Sequence, residues 1–219
     1  MEQQMQLDDP GVFGGPIDED RLRAYWDSMS PSYAPGADTG LVRFSHHRQH
    51  GAALRLAEPA AGQSVLDAGA GSGLLTRRLV DLGCEVTAVD ASEAMIAQLR
   101  EVSPSAQVGR LETLALDTTF DRVMAIGVLN FVCDPADVLR RLCRHVKPGG
   151  ILVLQVTEWS LFGLTYWINY WLKGFKPFLF SRDWLTRMVR RYGFEPAGYE
   201  HPLPHDLTIA FRRRADAEG

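Results

Sequence analysis

The feature that most constrains the fold is a glycine run placed between an apolar segment and an amphipathic one. Residues 65–68 are apolar apart from Asp67, and Gly69, Gly71 and Gly73 follow at alternate positions. Glycine lets the backbone turn sharply and approach a ligand closely, because it has no Cβ. A helix that begins directly after such a turn offers unpaired N–H groups to an anionic or polar ligand. The run therefore predicts a strand–turn–helix unit with a ligand at the turn.

The spacing of the glycines tests one common ligand class, the nicotinamide dinucleotides, whose fingerprint is G-x-G-x-x-G. Counted from Gly69, the third glycine position is Leu74, and counted from Gly71 it is Thr76. Neither register fits, so the sequence disfavours a nicotinamide enzyme. A second acid, Asp90, ends the next apolar run. Nucleotide-binding α/β folds hold a ribose diol with an acid at this place.

The segment from Asp67 to Gly73 resembles motif I of the class I S-adenosylmethionine-dependent methyltransferases. The segment 120–130 resembles the fourth strand of that family and the loop after it, and 142–154 resembles its helix, turn and fifth strand. Together these signals span about residues 64–156 in the order that the family has. The resemblance implies S-adenosyl-L-methionine as cofactor and S-adenosyl-L-homocysteine as its product.

The apolar pattern predicts an α/β fold in which strands and helices alternate. Such alternation gives a Rossmann-like, doubly wound sheet with helices on both faces. The sheet is expected to be mostly parallel, with a C-terminal antiparallel hairpin strand and an N-terminal helical cap. Strands are expected near 64–68, 85–89, 106–109, 121–126 and 149–156, and helices near 73–82, 92–101 and 134–145.

The chain is expected to form a single methyltransferase domain over 18–219, preceded by a flexible tail. The tail is expected because residues 1–17 are polar and rich in glycine and proline. The domain would consist of a helical cap, a cofactor-binding core, an aromatic lid with its helix, and a terminal hairpin. These parts are expected at 18–58, 64–156, 159–192 and 194–213.

The resemblance also implies how each part of the cofactor is held. The glycine loop would hold the methionine part above Asp67, Asp90 would accept both ribose hydroxyls, and Met95 would lie against adenine. Loop pinning by Asp67, helix capping by Asp90 and core packing by Met95 are the structural alternatives. The expected cofactor-binding residues are Tyr25, Tyr33, Asp67, Gly69, Ala70, Gly71, Gly73, Asp90, Ala91, Met95, Leu111, Glu112, Gly127 and Val128.

One position departs from the family's pattern. Relatives often carry an acid after the glycine of the third strand, where it meets the adenine amino group. Here that position is Arg110, and an arginine side chain has no hydrogen-bond acceptor. Either Glu112 or the backbone of Leu111 would then contact adenine.

The candidate catalytic residues are histidines on the helix before the core. His46 and His50 are four residues apart and share one helix face, with His47 beside them. They are candidates for a general base, which is needed only if the acceptor keeps its proton at neutral pH. Ordinary solvent-facing histidines are the alternative. His201 and His205 near the C-terminus are further candidates, with turn positions between prolines as their alternative. No metal site is expected, because the glutamate of an H-E-x-x-H motif is absent.

The segment 159–180 is unusually aromatic and follows the fifth strand, where the family usually builds its substrate lid. It contains nine aromatic residues, and 159–191 carries six basic residues against one acid. Three interpretations stay open: a wall for a flat or lipophilic substrate, a contact with an anionic membrane surface, and a dimer face. The candidate substrate-binding residues are Asn130, Trp159, Tyr166 and Tyr170.

These observations predict a methyltransferase that acts on a hydrophobic small molecule, such as a polyketide, terpenoid, quinone or aromatic metabolite, by in-line displacement. O-methylation is favoured, with nitrogen or carbon as further acceptors. An RNA or protein methyltransferase, and a cyclase or other non-methylating binder of the cofactor, are the alternatives. The formal net charge of -4 makes nucleic acid an unfavourable partner. Three scattered cysteines and an N-terminus without a signal peptide predict a cytoplasmic location. A monomer or homodimer is expected, and peripheral membrane contact is left open.

Overall fold

The computed structural model describes residues 11–15, 17–29, 40–103 and 105–216. Two short 3₁₀ turns, Leu111–Thr113 and Leu129–Phe131, accompany its helices and strands. In chain order the helices and strands are β1 (Val12–Phe13), α1 (Glu19–Met29), α2 (Gly40–Ala57), β2 (Ser64–Ala68), α3 (Leu74–Asp81), β3 (Glu85–Asp90), α4 (Glu93–Leu99), β4 (Gln107–Val108), β5 (Phe120–Ile126), α5 (Pro135–Arg144), β6 (Val146–Thr157), α6 (Leu161–Leu172), β7 (Leu179–Phe180), α7 (Arg182–Arg190), β8 (Phe194–Glu200) and β9 (Asp206–Arg213).

Seven of the strands form one sheet with the order β4-β3-β2-β5-β6-β9-β8. Neighbours from β4 to β6 are parallel, whereas β9 is antiparallel to both β6 and β8. The strand order reverses between β2 and β5, and a crevice forms beyond the strand carboxyl ends at such a reversal. The predicted Rossmann-like sheet with its antiparallel C-terminal hairpin strand is confirmed.

The core consists of two apolar layers, one on each face of the sheet. Adjacent residues of one strand enter different layers, because side chains alternate across a strand. Val65 packs in the layer that includes Ala53 of α2, and Leu66 packs in the layer that includes Leu139 of α5 and Trp184 of α7. The sheet is thereby covered on both faces, which explains why β2, β5 and β6 are rich in apolar residues.

The N-terminal segment differs from the expected flexible tail over 1–17. Val12 and Phe13 pair with Phe180 and Leu179 in a two-stranded antiparallel sheet, and Ile17 is buried. The partner strand lies near the other end of the chain, so local composition carries no sign of this pairing. Residues 1–10 and 16, and the predicted loop 30–39, lie outside the described residues.

Candidate active site

A cavity of about 600 Å³ lies at the carboxyl ends of the parallel strands. The glycine loop after β2 and the end of β3 form one end of it. Residues of α2, α6, the end of β6 and the start of β9 form the other, and residues of α1 also line the cavity. The cavity is therefore placed where an open α/β sheet binds its ligand.

Most of the residues expected to hold the cofactor line this cavity. Gly73 and Tyr25 are not among the lining residues, and Tyr33 lies outside the described residues. Tyr25 instead places its ring 5.2 Å from that of Phe175. The lining members are Asp67, Gly69, Ala70, Gly71, Asp90, Ala91, Met95, Leu111, Glu112, Gly127 and Val128.

The glycine loop has a geometry that requires glycine for two different reasons. Gly69 has φ of 79°, and a Cβ there would lie 2.7 Å from the side chain of Val128. Gly71 has φ of 53° with open space at its Cβ position, and it lines the cavity. Gly73, also at φ 79°, is the residue before α3, and a Cβ there would overlap Leu99. Gly73 thus serves the turn and its packing rather than the cavity wall.

Asp90 connects the glycine loop with the turn after β3. Its Oδ2 accepts a hydrogen bond from Gly71 N at 2.8 Å, and its Oδ1 accepts one from Ser92 N at 2.9 Å. Burial raises the pKa of Asp90, and the N–H groups of Ser92 and Gly71 oppose that rise. Each carboxylate oxygen keeps acceptor capacity after one such bond. Asp90 therefore both caps the turn and presents oxygen atoms to the cavity.

Asp67 lies beneath the loop and is 2% exposed. Its Oδ2 accepts a hydrogen bond of 2.6 Å from the hydroxyl of Thr76. Burial raises the pKa of Asp67 to about 6, against the lowering effect of Thr76 and with a further rise from Asp90. The carboxylate is poorly stabilised by these neutral and anionic neighbours, so a cationic group of a ligand would favour its ionised form.

Helix α1 is attached to this end of the cavity by one short hydrogen bond. The hydroxyl of Ser92 donates to Asp27 Oδ1 at 2.5 Å. Leu22, Arg23 and Trp26 of the same helix line the cavity. The bond joins α1 to the turn that follows β3.

The position that departs from the family's pattern also lies at the cavity. Arg110 Nε is 3.8 Å from Glu112 Oε2, and both residues line the wall. Cys133 N donates to Glu112 Oε1 at 3.3 Å. A carboxylate is thus present near the end of β4, two residues beyond the usual position.

The three candidate histidines of α2 are in different environments. His46 and His50 line the cavity with their rings stacked at 5.8 Å, whereas His47 is exposed, accepts a hydrogen bond from Arg78 and does not line it. Burial lowers the pKa of His50 to about 3, and His46, Arg78 and His47 lower it further. His50 therefore stays neutral and is a weak base near neutral pH.

The candidate substrate residues also differ in their positions. Asn130 is buried, and its amide donates to Phe178 O and accepts from Thr157 N, so both of its ends are engaged by backbone. Tyr166 and Tyr170 line the cavity. Trp159 does not line it: this side chain is 48% exposed and its ring lies 4.7 Å from Phe13.

A group of polar residues at the far end of the cavity was, apart from His205, not singled out from the sequence. Gln155 and Thr157 alternate with apolar residues in β6, as Asp206 and Thr208 do in β9. That alternation is typical of a strand with one solvent-facing side. All four are nevertheless buried, because α2 packs against β6 and β9. Gln49 of α2 and His205 complete the polar lining there.

Comparisons with known proteins agree with this architecture. Residues 66–154 match the family model of a methyltransferase domain. Cypemycin N-terminal methyltransferase of a Streptomyces species is 34% identical over 161 residues, which cover 69% of this chain and 59% of that protein. Ubiquinone biosynthesis O-methyltransferase of Xanthomonas oryzae pv. oryzae is 39% identical over 103 residues, 43% of each protein. The chain thus spans about half the length of the curated relatives it matches.

Solved structures show the same fold. Magnesium protoporphyrin IX methyltransferase from Synechocystis PCC 6803, crystallised with S-adenosylhomocysteine, superimposes with a TM-score of 0.73 at 18% identity. The superposition covers 90% of this chain and 100% of that chain. At this level of identity the likeness concerns the fold alone.

Proposed function

The chain belongs to the class I S-adenosylmethionine-dependent methyltransferases, and we propose that it methylates a hydrophobic small molecule, with a hydroxyl oxygen as the favoured acceptor. The observation that carries the proposal is a single cavity with two unlike ends. One end presents the glycine loop, Asp67 and Asp90, and the other presents aromatic and polar side chains.

At the first end we propose that Asp90 binds the ribose hydroxyls and that the loop 69–71 lies against the methionine part. Two adjacent hydroxyls matched to one carboxylate make a bidentate, charge-assisted contact. Asp67 would bind the cofactor's amino group, because its buried carboxyl group has neutral and anionic neighbours. Met95, Leu111 and Glu112 would surround adenine.

Bound S-adenosylmethionine supplies a methyl group that is already activated on a sulfonium. The protein then has to align the acceptor behind the methyl carbon and exclude water. Trp26 and Phe131, with ring centroids 5.6 Å apart, and Tyr166 and Tyr170, with centroids 4.8 Å apart, provide apolar walls for these tasks. Such walls suit a flat or lipophilic acceptor.

The names of the relatives favour two acceptor classes. The ubiquinone biosynthesis enzyme is an O-methyltransferase, which supports a lipophilic hydroxyl compound. The cypemycin enzyme is an N-terminal methyltransferase, which supports a peptide amine as the second candidate. Transfer of a tritiated methyl group to a lipophilic phenol, to a peptide with a free N-terminus, or to RNA would distinguish these acceptors.

Calorimetry with S-adenosylhomocysteine tests the cofactor end directly. We expect Asp90→Ala to weaken binding by roughly ten- to a hundredfold, because a hydrogen bond to a charged group contributes about 1.5–3 kcal/mol. Asp81→Ala, an exposed acid at the end of α3, is the control and should bind as the intact protein does. Absence of binding by the intact protein, or unchanged affinity in Asp90→Ala, would refute the proposal.

The outer side of α6 supports a further proposal, peripheral contact with an anionic membrane. Leu161 and Leu172 are 77% and 74% exposed, and Phe162 and Ile168 beside them are also exposed. Several exposed apolar side chains on one helix favour an interaction site, and Lys173 follows directly. No helix in the described ranges is long and apolar enough to cross a membrane.

Flotation with vesicles tests this contact. We expect the protein to float with vesicles that contain phosphatidylglycerol and to float less with pure phosphatidylcholine, and we expect Leu161→Ser with Leu172→Ser to abolish flotation. Equal recovery of the intact protein and the double variant would argue against membrane contact. Concentration-dependent dimerisation that the double variant removes would also argue against it, and would favour a dimer face.

We also propose a cytoplasmic location, which the free cysteines Cys84, Cys133 and Cys143 support.

A further inference from the structure

Strands β6 and β9 carry polar side chains on a face that is buried. Gln155 is paired with Thr208 and Thr157 with Asp206 in the antiparallel register, and all four are nearly inaccessible to solvent. Burying polar groups costs free energy unless hydrogen bonds compensate. Gln155 Oε1 is buried without a hydrogen-bond partner in the described part of the chain. Of the four, Gln155, Thr157 and Asp206 line the cavity, which indicates a ligand-binding role for this face.

His205 and Asp206 are neighbours at this face. Asp206 is 1% exposed and accepts a hydrogen bond from Gln49 Nε2 at 2.8 Å. His205 Nε2 lies 3.4 Å from Asp206 Oδ1, and the ring of Tyr166 stacks on the imidazole at 5.5 Å. A carboxylate at one ring nitrogen selects the tautomer and leaves the other nitrogen, Nδ1, able to take a proton.

The surroundings of His205 are electrostatically opposite to those of His50. His50 is next to Arg78 and two further histidines, which disfavour an added proton. His205 instead has the carboxylate of Asp206 3.4 Å from its Nε2. His205 is also partly exposed, with 29% of its side chain accessible, so a proton can leave to solvent after the reaction.

We propose that His205 is the general base of this methyltransferase, that Asp206 is its positioning residue, and that the acceptor is a hydroxyl group on a flat apolar molecule. The acceptor oxygen forms the bond to the methyl carbon while the carbon–sulfur bond breaks, and the electron pair of that bond stays on sulfur. The hydroxyl proton passes to Nδ1 of His205, and the resulting imidazolium faces the carboxylate of Asp206. This inference rests on the methyl transfer proposed above.

The test uses 2-naphthol and 2-naphthylamine as matched acceptors with tritiated S-adenosylmethionine. We expect methylation of the naphthol, and a fall in kcat of roughly a hundredfold or more in His205→Ala with little change in KM. Added imidazole should restore part of the rate in His205→Ala, because it can occupy the space of the missing ring. A purely structural histidine would not be rescued in this way. His201→Asn, a histidine of the same loop that does not line the cavity, is the control and should match the intact enzyme.

A second measurement does not depend on the acceptor. Long-range ¹H–¹⁵N spectra report the tautomer of each of the six histidines, and His205→Ala identifies the signal of His205. We expect the Nε2–H tautomer in the intact protein and a mixture of tautomers in Asp206→Asn. Unchanged tautomer populations in Asp206→Asn would overturn the positioning role.

The remaining outcomes separate this inference from the proposed function. Methylation of the naphthylamine alone, or full activity of His205→Ala on the naphthol, overturns the base and its acceptor class while leaving methyl transfer intact. If neither compound is methylated although S-adenosylhomocysteine binds, the proposed acceptor class fails for both proposals. If S-adenosylhomocysteine does not bind, the cofactor end fails and the proposed function with it.

Discussion

The two ends of the cavity are built in different ways. At the proposed cofactor end most of the groups lie in one stretch of chain, 67–95, with further contributions from 111–112 and 127–128, and some are backbone atoms, such as the Gly71 N–H that Asp90 holds. At the proposed acceptor end the polar side chains come from α2, β6, α6, His205 and the start of β9. The first end depends on local conformation, whereas the second depends on long-range packing.

This difference predicts which substitutions each end tolerates. A backbone site is sensitive to an added Cβ wherever the loop is closely packed, as at Gly69. A side-chain site is sensitive to single polar groups while the backbone around it is ordinary strand and helix. We therefore expect glycine replacements to affect cofactor affinity, and polar replacements in β6 to affect the acceptor.

The largest expected effect concerns Gly69. In Gly69→Ala the new Cβ would lie 2.7 Å from Val128, so the loop must move, and we expect cofactor affinity to fall by roughly a hundredfold or more. Gly62→Ala is a matched control, because Gly62 has the same φ of 79° and open space at its Cβ position. It carries only the strain of a positive φ, about 1–3 kcal/mol of stability. Equal affinities of the two variants, measured by calorimetry, would show that the close packing of the loop is unimportant.

The next largest expected effect is a pH dependence of cofactor affinity, which arises from Asp67 and its pKa of about 6. Cofactor affinity should fall by about tenfold per pH unit below that value, because Asp67 must lose its proton to bind a cationic amino group.

The stability of the ligand-free protein should change in the opposite direction and fall as pH rises. The folded pKa is above the usual 3.8, so the folded state binds more protons, and this contribution to stability is lost as pH rises from about 4 to about 6. Calorimetry and denaturation at several pH values measure both slopes.

Asp67→Asn provides the control for this pH dependence, since an amide does not titrate in this range. Both slopes should flatten in the variant. A cofactor affinity that still falls below pH 6 in Asp67→Asn would assign the titration to another group, such as Asp90, whose pKa is also raised by burial.

The smallest effect concerns the buried polar atoms at the acceptor end. Gln155 Oε1 and Thr208 Oγ1 have no hydrogen-bond partner in the described residues. Replacing such a group by an apolar one of similar shape should raise the free energy of unfolding by about 1 kcal/mol, as measured by urea denaturation. We expect this gain in both Gln155→Met and Thr208→Val. Only Gln155→Met should slow methyl transfer, because Thr208 does not line the cavity. A loss of activity in both variants would mean that stability rather than acceptor binding is affected.

Part of the molecule follows from local sequence. The glycine run, the acid at the end of β3 and the alternation of apolar segments predict the parallel sheet and its ligand-binding edge, because they depend on residues a few positions apart. The pairing of Val12–Phe13 with Leu179–Phe180 and the orientation of α6 are not visible in this way. For α6, aromatic residues occupy both sides of the helix, so composition does not distinguish Tyr166 in the cavity from Trp171 at the surface.

The amino-acid order alone establishes the fold class, because strand, turn and helix signals act over short distances. It also predicts that the cofactor binds at the glycine loop through backbone atoms. The acceptor end is different. Gln155, Thr157 and Asp206 have the alternation of solvent-facing strand residues, and they become a buried polar face only when α2 packs against β6 and β9. Their chemistry depends on burial, and burial is a property of the assembled chain.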